Sequence, residues 1–244
     1  MTKEQFFDIL KNIFQKEINT MNILMFGPNG SGKGTFGAIL CERFGMPQVE
    51  TGVIFRENIS KGTALGKEAN SYIDKGELVP DNITIPMLLN RLKENDCKNG
   101  WLLDGFPRNI TQAEAFWTAL QKEKITLDYV IELEISREMA KRRIMGRRLC
   151  PNDNNHPNNI YVKENLPVEK DGKLFCRVCG REGLLSRADD QDEAAIDKRH
   201  SIYFDIKKGT QAAVNYFKKR VKVIQVDSLP GVKEVSKNLL ELLK

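Results

Sequence analysis

The run Gly27-Pro-Asn-Gly-Ser-Gly-Lys-Gly-Thr35 has the residue types and spacing of an anion cradle. Glycines let a backbone curl around an anion and turn several N–H groups toward it. A helix opening behind the loop adds its positive dipole end, and Lys33 adds a point charge for the β- and γ-phosphates of a nucleotide. The flanks are right for this. An apolar run, Ile23–Phe26, precedes the loop, and a helix-like run, Phe36–Phe44, follows it. One feature departs from the general pattern: Gly34 follows the lysine and Thr35 comes one position later. The hydroxyl that often ligates magnesium is therefore displaced from its usual place.

A second stretch, Trp101-Leu-Leu-Asp-Gly-Phe-Pro-Arg-Asn109, delivers an acid and a base around a tight turn. Asp104 ends an apolar strand, where a carboxylate can hold the hydration shell of a magnesium ion. Arg108 follows the turn and suits a phosphate in the same cleft. Further arginines stand at comparable places. Arg56 follows the second strand in Thr51-Gly-Val-Ile-Phe-Arg56, and Gly146-Arg-Arg148 supplies Arg147. Arg187 and Arg199 flank the acids Asp189 and Asp190. Any one of these reads equally well as a surface ion pair; as a set they describe a polyphosphate site.

The third constellation is Cys150-x5-His156 followed by Cys176-x2-Cys179-Gly180. Two cysteine-containing pairs separated by a loop have the spacing of a structural zinc site, closed by four protein ligands. Asp153 competes with His156 as third ligand because Cys150-x2-Asp153 is the tighter spacing. The histidine is preferred, since imidazole matches a thiolate-rich site better than carboxylate. Iron or cobalt can occupy the same ligands. Four protein ligands leave no open position, so the role expected is structural. The surrounding residues 149–186 are rich in Asn, Pro, Gly and Lys and too few to bury a core, which is the situation a metal staple relieves. Short strands are expected there at Asn159–Lys163 and Lys173–Phe175.

Elements must position these groups. Doubly buried strands are expected at Ile23–Phe26, Pro47–Glu50, Trp101–Asp104, Tyr129–Leu133 and Val221–Val226. Helical periodicity fills the intervals at 32–44, 53–75 in two pieces, 81–95, 111–122, 136–148, 189–218 and 231–243. Asp81, Thr111 and Ser136 are the expected N-caps, and Pro86 predicts a kink or a late start in the third helix. This alternation predicts an α/β fold with a parallel sheet covered on both faces. Phe6, Leu10, Ile13, Phe14 and Ile18 recur at helical spacing and predict a short amphipathic helix in an N-terminal extension, 1–20. The same segment lacks the charge and apolar pattern of a transit or secretory peptide.

The chain has 244 residues, 41% of them hydrophobic, and a formal charge of +5, enough for a normal core and favourable to polyanionic ligands. No apolar run reaches the roughly 20 residues that a membrane helix requires. Five cysteines, an odd number, suit a reducing compartment better than a disulfide scaffold.

In order, Gly-x-x-Gly-x-Gly-Lys-Gly-Thr, Asp-Gly-Phe-Pro-Arg, Gly-Arg-Arg and Arg-x-Asp-Asp-Gln resemble an adenylate kinase of the long type with a metal-bearing lid, from Met21 to the C-terminus. The resemblance implies the P-loop nucleoside monophosphate kinase fold, a five-stranded parallel sheet flanked by helices, with a core at 21–148 and 187–244. It also implies an AMP-binding segment at 51–80 and a lid at 149–186. It implies that Gly30, Ser31, Gly32, Lys33, Gly34, Thr35, Arg143, Arg147 and Pro230 hold ATP. Thr51, Arg56, Glu77, Leu78, Val79, Gly105, Arg108, Gln112, Arg187 and Arg199 would hold AMP. Lys33, Asp104, Arg108, Arg147, Arg187 and Arg199 would serve the transfer, with magnesium accompanying ATP. Two departures stand out. Asp-Ser-Leu-Pro230 differs from the family's usual loop, and the lid has Cys/His/Cys/Cys where four cysteines are commoner.

The expected reaction is ATP + AMP = 2 ADP, carried out by a cytoplasmic monomer without nucleic-acid or membrane partners. A GTP:AMP phosphotransferase is the nearest rival, and UMP/CMP kinases resemble the short-lid type. A zinc-ribbon nucleic-acid binder on an inert P-loop domain is the reading from another class. Only Tyr161 and Phe175 offer stacking surfaces near the cysteines, and Glu164, Glu169 and Asp171 oppose a polyanion there.

Overall fold

The computed structural model describes residues 20–73, 79–186 and 190–243. Its main sheet contains β1 (Met21–Phe26), β2 (Gln48–Glu50), β3 (Gly100–Asp104), β4 (Tyr129–Glu134) and β7 (Lys222–Asp227), in the order β2-β3-β1-β4-β7. All its pairings are parallel, with Met25 beside Asp104 and Phe26 beside Glu132. That register brings the end of β1 and the end of β3 together, where a parallel sheet offers its binding crevice.

Successive side chains alternate between two cores because the strand period is two. Met21, Ile23 and Met25 join Leu102, Ile131 and Leu133 on one face. They pack on α1 (Lys33–Phe44) through Phe36 and Leu40, and on α9 (Val232–Leu242) through Val235 and Leu239. Leu24 and Phe26 join Trp101, Leu103 and Val130 on the other face, against α4 (Asp81–Leu92), α5 (Ile110–Lys122) and α8 (Thr210–Lys218). Trp101, Phe116 and Phe217 are fully buried there, and each such ring contributes about 1.5–3 kcal/mol of burial. The three central strands, β1, β3 and β4, are covered on both faces as expected. The edge strands correct that expectation: β7 alternates, with Gln225 and Asp227 exposed and Ile224 and Val226 buried, and β2 buries only Val49.

Helices α2 (Thr51–Ser60) and α3 (Ala64–Ile73) follow β2, as the two-piece pattern predicts. Helix α6 (Arg137–Gly146) begins at the expected cap, Ser136, whose hydroxyl accepts from the Met139 N–H at 3.2 Å. Two other caps are corrected. Helix α5 is capped by Asn109, whose side chain accepts from Gln112 N at 2.8 Å, because Thr111 already lies inside the first turn. Helix α4 has Pro80 at its cap, and Asp81 is its first residue, where its charge meets the positive end of the helix. That helix continues unbroken past Pro86. The pattern over 189–218 is also two helices, not one: α7 (Glu193–Phe204) and α8. Between them the Asp205 carboxylate accepts from the backbone of Lys207 and Lys208 at 2.8 and 3.0 Å. Such local capping outcompetes the helix. The expected N-terminal helix lies outside the described residues.

In the insertion, β5 (Val168–Lys170) and β6 (Lys173–Phe175) form an antiparallel hairpin. It turns on Asp171 and Gly172, both at positive φ, the pair that a two-residue hairpin requires. The strand expected at Asn159–Lys163 does not form. Only Asn159 makes a bridge, to Arg147, and the chain then turns into a short 3-10 helix at Lys163–Asn165. At the base of the insertion Leu149 and Leu185 exchange both backbone hydrogen bonds, at 2.8 and 3.0 Å, so its two connections are paired. None of the helices among the described residues is long and apolar enough to cross a membrane.

Candidate functional site

The loop after β1 is held by its own backbone and by its lysine. Ser31 N donates to Pro28 O at 3.0 Å, and Lys33 Nζ reaches back to Gly27 O at 2.7 Å and Pro28 O at 3.3 Å. Gly30 has φ +92°, and a Cβ there would fall against the carbonyl of Ala140 in α6, so only glycine lets the loop seat on that helix. Gly34 faces the insertion. A Cβ there would lie 2.7 Å from Asn155 Oδ1, an insertion residue whose carbonyl accepts from Thr35 Oγ1 at 3.3 Å. The insertion therefore rests directly on the start of α1.

Asp104 sits opposite Lys33. Burial pushes its carboxyl up, and the charges of Lys33 and Arg108 oppose that rise. Burial lowers Lys33 in turn; Asp104 raises it again, while Arg108 and Arg147 push it further down. Asp104 Oδ1 is buried without a hydrogen-bond partner among the described residues. An orphaned acceptor of this kind needs a ligand to complete it, and a hydrated magnesium ion fits that donor chemistry.

The basic side chains are individually fixed. Arg108 Nε donates to Gly105 O at 2.9 Å, and its N–H donates to Gln112 Oε1 at 2.8 Å. Gln112 is itself anchored on Asp81 at 2.8 Å. Thr51 Oγ1 donates to the carbonyl of Asp104 at 3.2 Å, joining the first turn of α2 to the end of β3. Arg143 donates to Leu229 O at 3.1 Å, beside Pro230. Arg147 makes two bonds to Asp190, at 2.9 and 2.7 Å. Asp190 is fully buried, and such a forked pair fixes the guanidinium in direction as well as place.

One cavity of about 1040 Å³ collects these groups. The loop residues Gly30, Gly32, Lys33, Gly34 and Thr35 line it at one end. Thr51, Arg56, Asp104, Gly105 and Arg108 line the other, and Arg143, Arg147, Arg199 and Pro230 close the sides together with insertion residues. Three expected residues sit off its wall. Ser31 is wholly buried beneath the loop, Gln112 stands behind Arg108, and Val79 packs against the core. Glu77, Leu78 and Arg187 lie outside the described residues. Sequence reasoning missed the role of Asp190, which looked like an acidic helix start; its partner, Arg147, lies 43 residues away, and no local signal joins the two. It also missed His200, one of only two histidines and adjacent to Arg199.

The four metal candidates converge in the insertion. The ligand atoms of Cys150, His156, Cys176 and Cys179 all lie within 4.8 Å of one another. Cys150 Sγ is 3.5 Å from Cys179 Sγ, and Cys176 Sγ is 3.5 Å from His156 Nδ1. Ligands at zinc distances in a tetrahedron stand about 3.3–3.8 Å apart, so the set fits zinc in donor chemistry and in size. Asp153 Oδ2 instead lies 3.7 Å from His156 Nε2, the ring nitrogen turned away from Cys176. It stands behind the imidazole, on the side where outer carboxylates pair with ligating histidines. Burial raises the Cys176 thiol, but N–H groups of Cys179, Asn158 and Val178 outweigh this and hold it at about 6. The Asn158 amide donates to that sulfur at 3.3 Å. The remaining thiols, Cys41 and Cys97, are pushed up by burial to about 12 and about 11, as ordinary unreactive thiols are.

Comparison with known proteins places these features. The family model described as "Adenylate kinase" matches residues 25–222. An adenylate kinase of Desulfosudis oleivorans is 60% identical over 229 residues, covering 91% of this chain and all of the relative. Adenylate kinases of Desulfotalea psychrophila and Desulforapulum autotrophicum are 57% and 55% identical, each over 91% of this chain and 99% and 100% of their own lengths.

Proposed function

The chain belongs to the adenylate kinase family, and on that premise we propose which of its residues carry the reaction. The protein is a nucleoside monophosphate kinase that transfers the γ-phosphoryl group of ATP reversibly to AMP, giving two ADP. An oxygen of the AMP phosphate forms the new P–O bond. The bond to the β-phosphate oxygen breaks, and ADP leaves with its electron pair. The acceptor is already an anion, so no general base is needed. The protein must align donor and acceptor and neutralise charge on the three equatorial oxygens. The observation that carries this reading is the convergence of Lys33, Arg56, Arg108, Arg147 and Arg199 on one cavity that also presents the loop backbone and Asp104.

In this reading Gly30 to Thr35 and Lys33 cradle the β- and γ-phosphates of ATP. Arg143 and the backbone at Leu229 and Pro230 flank its base. Thr51, Arg56 and Arg108 receive the AMP phosphate next to β3, and Arg147, aimed by Asp190, reaches the transferring group. Adenylate kinases use the magnesium complex of the nucleotide; Asp104 would hold that ion's water shell, and the ion would supply positive charge to the phosphates. Water competes with AMP as acceptor, so the site must exclude it. The insertion serves as the lid: it rests on Thr35 through Asn155. Zinc at Cys150, His156, Cys176 and Cys179 would staple it into a unit, leaving its paired base as the place to bend. A cytoplasmic monomer acting on free adenine nucleotides completes the proposal.

A matrix of donors against acceptors tests it, with magnesium present and diphosphate formation followed by 31P spectroscopy. MgATP with AMP is expected to be the fastest pair by at least about tenfold, a margin of 1.4 kcal/mol in transition-state binding. GTP exceeding ATP as donor, or UMP or CMP exceeding AMP as acceptor, would overturn the assignment.

A further inference from the structure

His200 is wholly buried on α7, one residue after Arg199, and it is not on the cavity wall. Its Nε2 lies 3.0 Å from the carbonyl oxygen of Asn29, the residue that opens the tip of the phosphate loop. A carbonyl only accepts, so Nε2 must carry the hydrogen. Its other nitrogen, Nδ1, is buried with no partner among the described residues. The ring is therefore committed to one bond, and that bond is to the loop.

The position is built from several sides. Helix α7 is tied to α6 by Lys141, which pairs with Glu193 and Asp197 at 2.9 Å each, and by Arg137, which donates to Asp197 O and Ser201 Oγ at 3.0 Å. Helix α6 is the same helix on whose Ala140 carbonyl Gly30 closes. The ring edge of His200 also packs against Phe204, with centroids 6.0 Å apart. The Asn29–Gly30 peptide is planar, so fixing its carbonyl toward α7 fixes the Gly30 N–H on the opposite side of the same plane. A helix that brings Arg199 to the cavity thus sets the orientation of a loop peptide through the next residue.

We propose that His200 is a positioning residue for the donor site: its Nε2–H donates to Asn29 O, locks the Asn29–Gly30 peptide of the phosphate loop, and couples that loop to the helix carrying Arg199. The proposal rests on the reading that residues 30–35 hold the phosphates of ATP. The charged groups facing the ring are Arg137 and Lys141 from α6 and Asp197 from α7. Burial holds the imidazole below its usual value, and Arg137 and Lys141 add to this, whereas Asn29 and Asp197 oppose it. The neutral ring is consistent with a bare, dry Nδ1.

Three proteins test this: the wild type, His200→Phe, which keeps a ring but has no donor, and His200→Gln, whose amide N–H reaches a similar distance. Loss of one hydrogen bond to an ordered carbonyl is worth roughly three- to tenfold. His200→Phe is therefore expected to raise the KM and the Kd for MgATP about three- to tenfold, with the KM for AMP and kcat within about twofold of wild type, and His200→Gln to recover most of the loss. A purely structural residue would lower the melting temperature and leave the MgATP constants alone, or shift MgATP and AMP equally; either result overturns the proposal. Should His200→Phe not fold, the wild type still decides. With only two histidines in the chain, long-range 1H–15N spectra resolve each ring, and His200 is expected as the neutral Nε2–H tautomer. A ring protonated at Nδ1 alone would refute the bond. Wild-type protein that fails to bind MgATP at all would instead refute the donor-site reading on which the proposal rests.

Discussion

Lys33→Met lowers kcat by about two to three orders of magnitude and leaves the fold intact. The size follows from the site: a preorganised charge acting mostly in the transition state is worth a few kcal/mol when it is removed. Lys33 is half-buried at the head of α1, facing Asp104, with its ammonium held by two loop carbonyls. Methionine keeps the apolar stem and deletes only the charge. The two carbonyls lie beside a wide cavity, where water can replace the ammonium, so the melting temperature is expected to move little. Arg108→Ala is expected to lower kcat similarly, since its guanidinium stands beside Asp104 and Gly105 at the other end of the same cavity. The measurement is steady-state kcat alongside thermal unfolding. Near-normal turnover in either variant removes the role assigned to that residue.

Loss of the lid ligand His156 has the second large effect, and it falls on structure before chemistry. The protein is expected to carry one divalent ion per chain, zinc in zinc-replete cells and iron or cobalt in other media. Structural zinc contributes folding free energy outright, about 10–16 kcal/mol in isolated finger peptides, and residues 149–186 have little core to replace it. His156→Ala is therefore expected to lose its metal on dialysis against a chelator, with loss of hydrogen-exchange protection across 149–186 while the main sheet stays protected. Asp153→Ala should keep the ion, losing at most about ten- to a hundredfold in affinity, as outer-shell changes do. Metal analysis of the two variants checks this. The reverse pattern, retention in His156→Ala and loss in Asp153→Ala, would show the carboxylate to be the third ligand.

The parts of this molecule written in local pattern were legible in its sequence. The central strands, buried on both faces, leave apolar runs, and the edge strands leave short or alternating ones, so all five strands of the main sheet could be located to within two residues. The phosphate loop, the Asp104–Arg108 turn and the Cys/His cluster were legible because each is a short motif with its own chemistry. What escaped depends on competition or distance. The break at 205–209 arises because Asp205 caps the backbone more favourably than the helix continues, and periodicity carries no trace of that contest. Asn109 won the cap of α5 from Thr111 by geometry that composition does not reveal. The strand expected at 159–163 failed because alternation there had no partner strand to pair with; the hairpin formed further on, around Asp171 and Gly172. Asp190 and His200 act on groups 43 and 171 positions away in the chain, Arg147 and Asn29. Contacts of that span become visible only when the sheet has brought their elements together.

The central claim is that this cavity passes a phosphoryl group directly from ATP to AMP. Following the label from [γ-32P]ATP, with magnesium and excess AMP, tests it most directly. The account predicts label at the β-position of ADP, formed at the same rate as AMP is consumed, with inorganic phosphate a minor product. Label appearing chiefly as inorganic phosphate, at a rate indifferent to AMP, would contradict it.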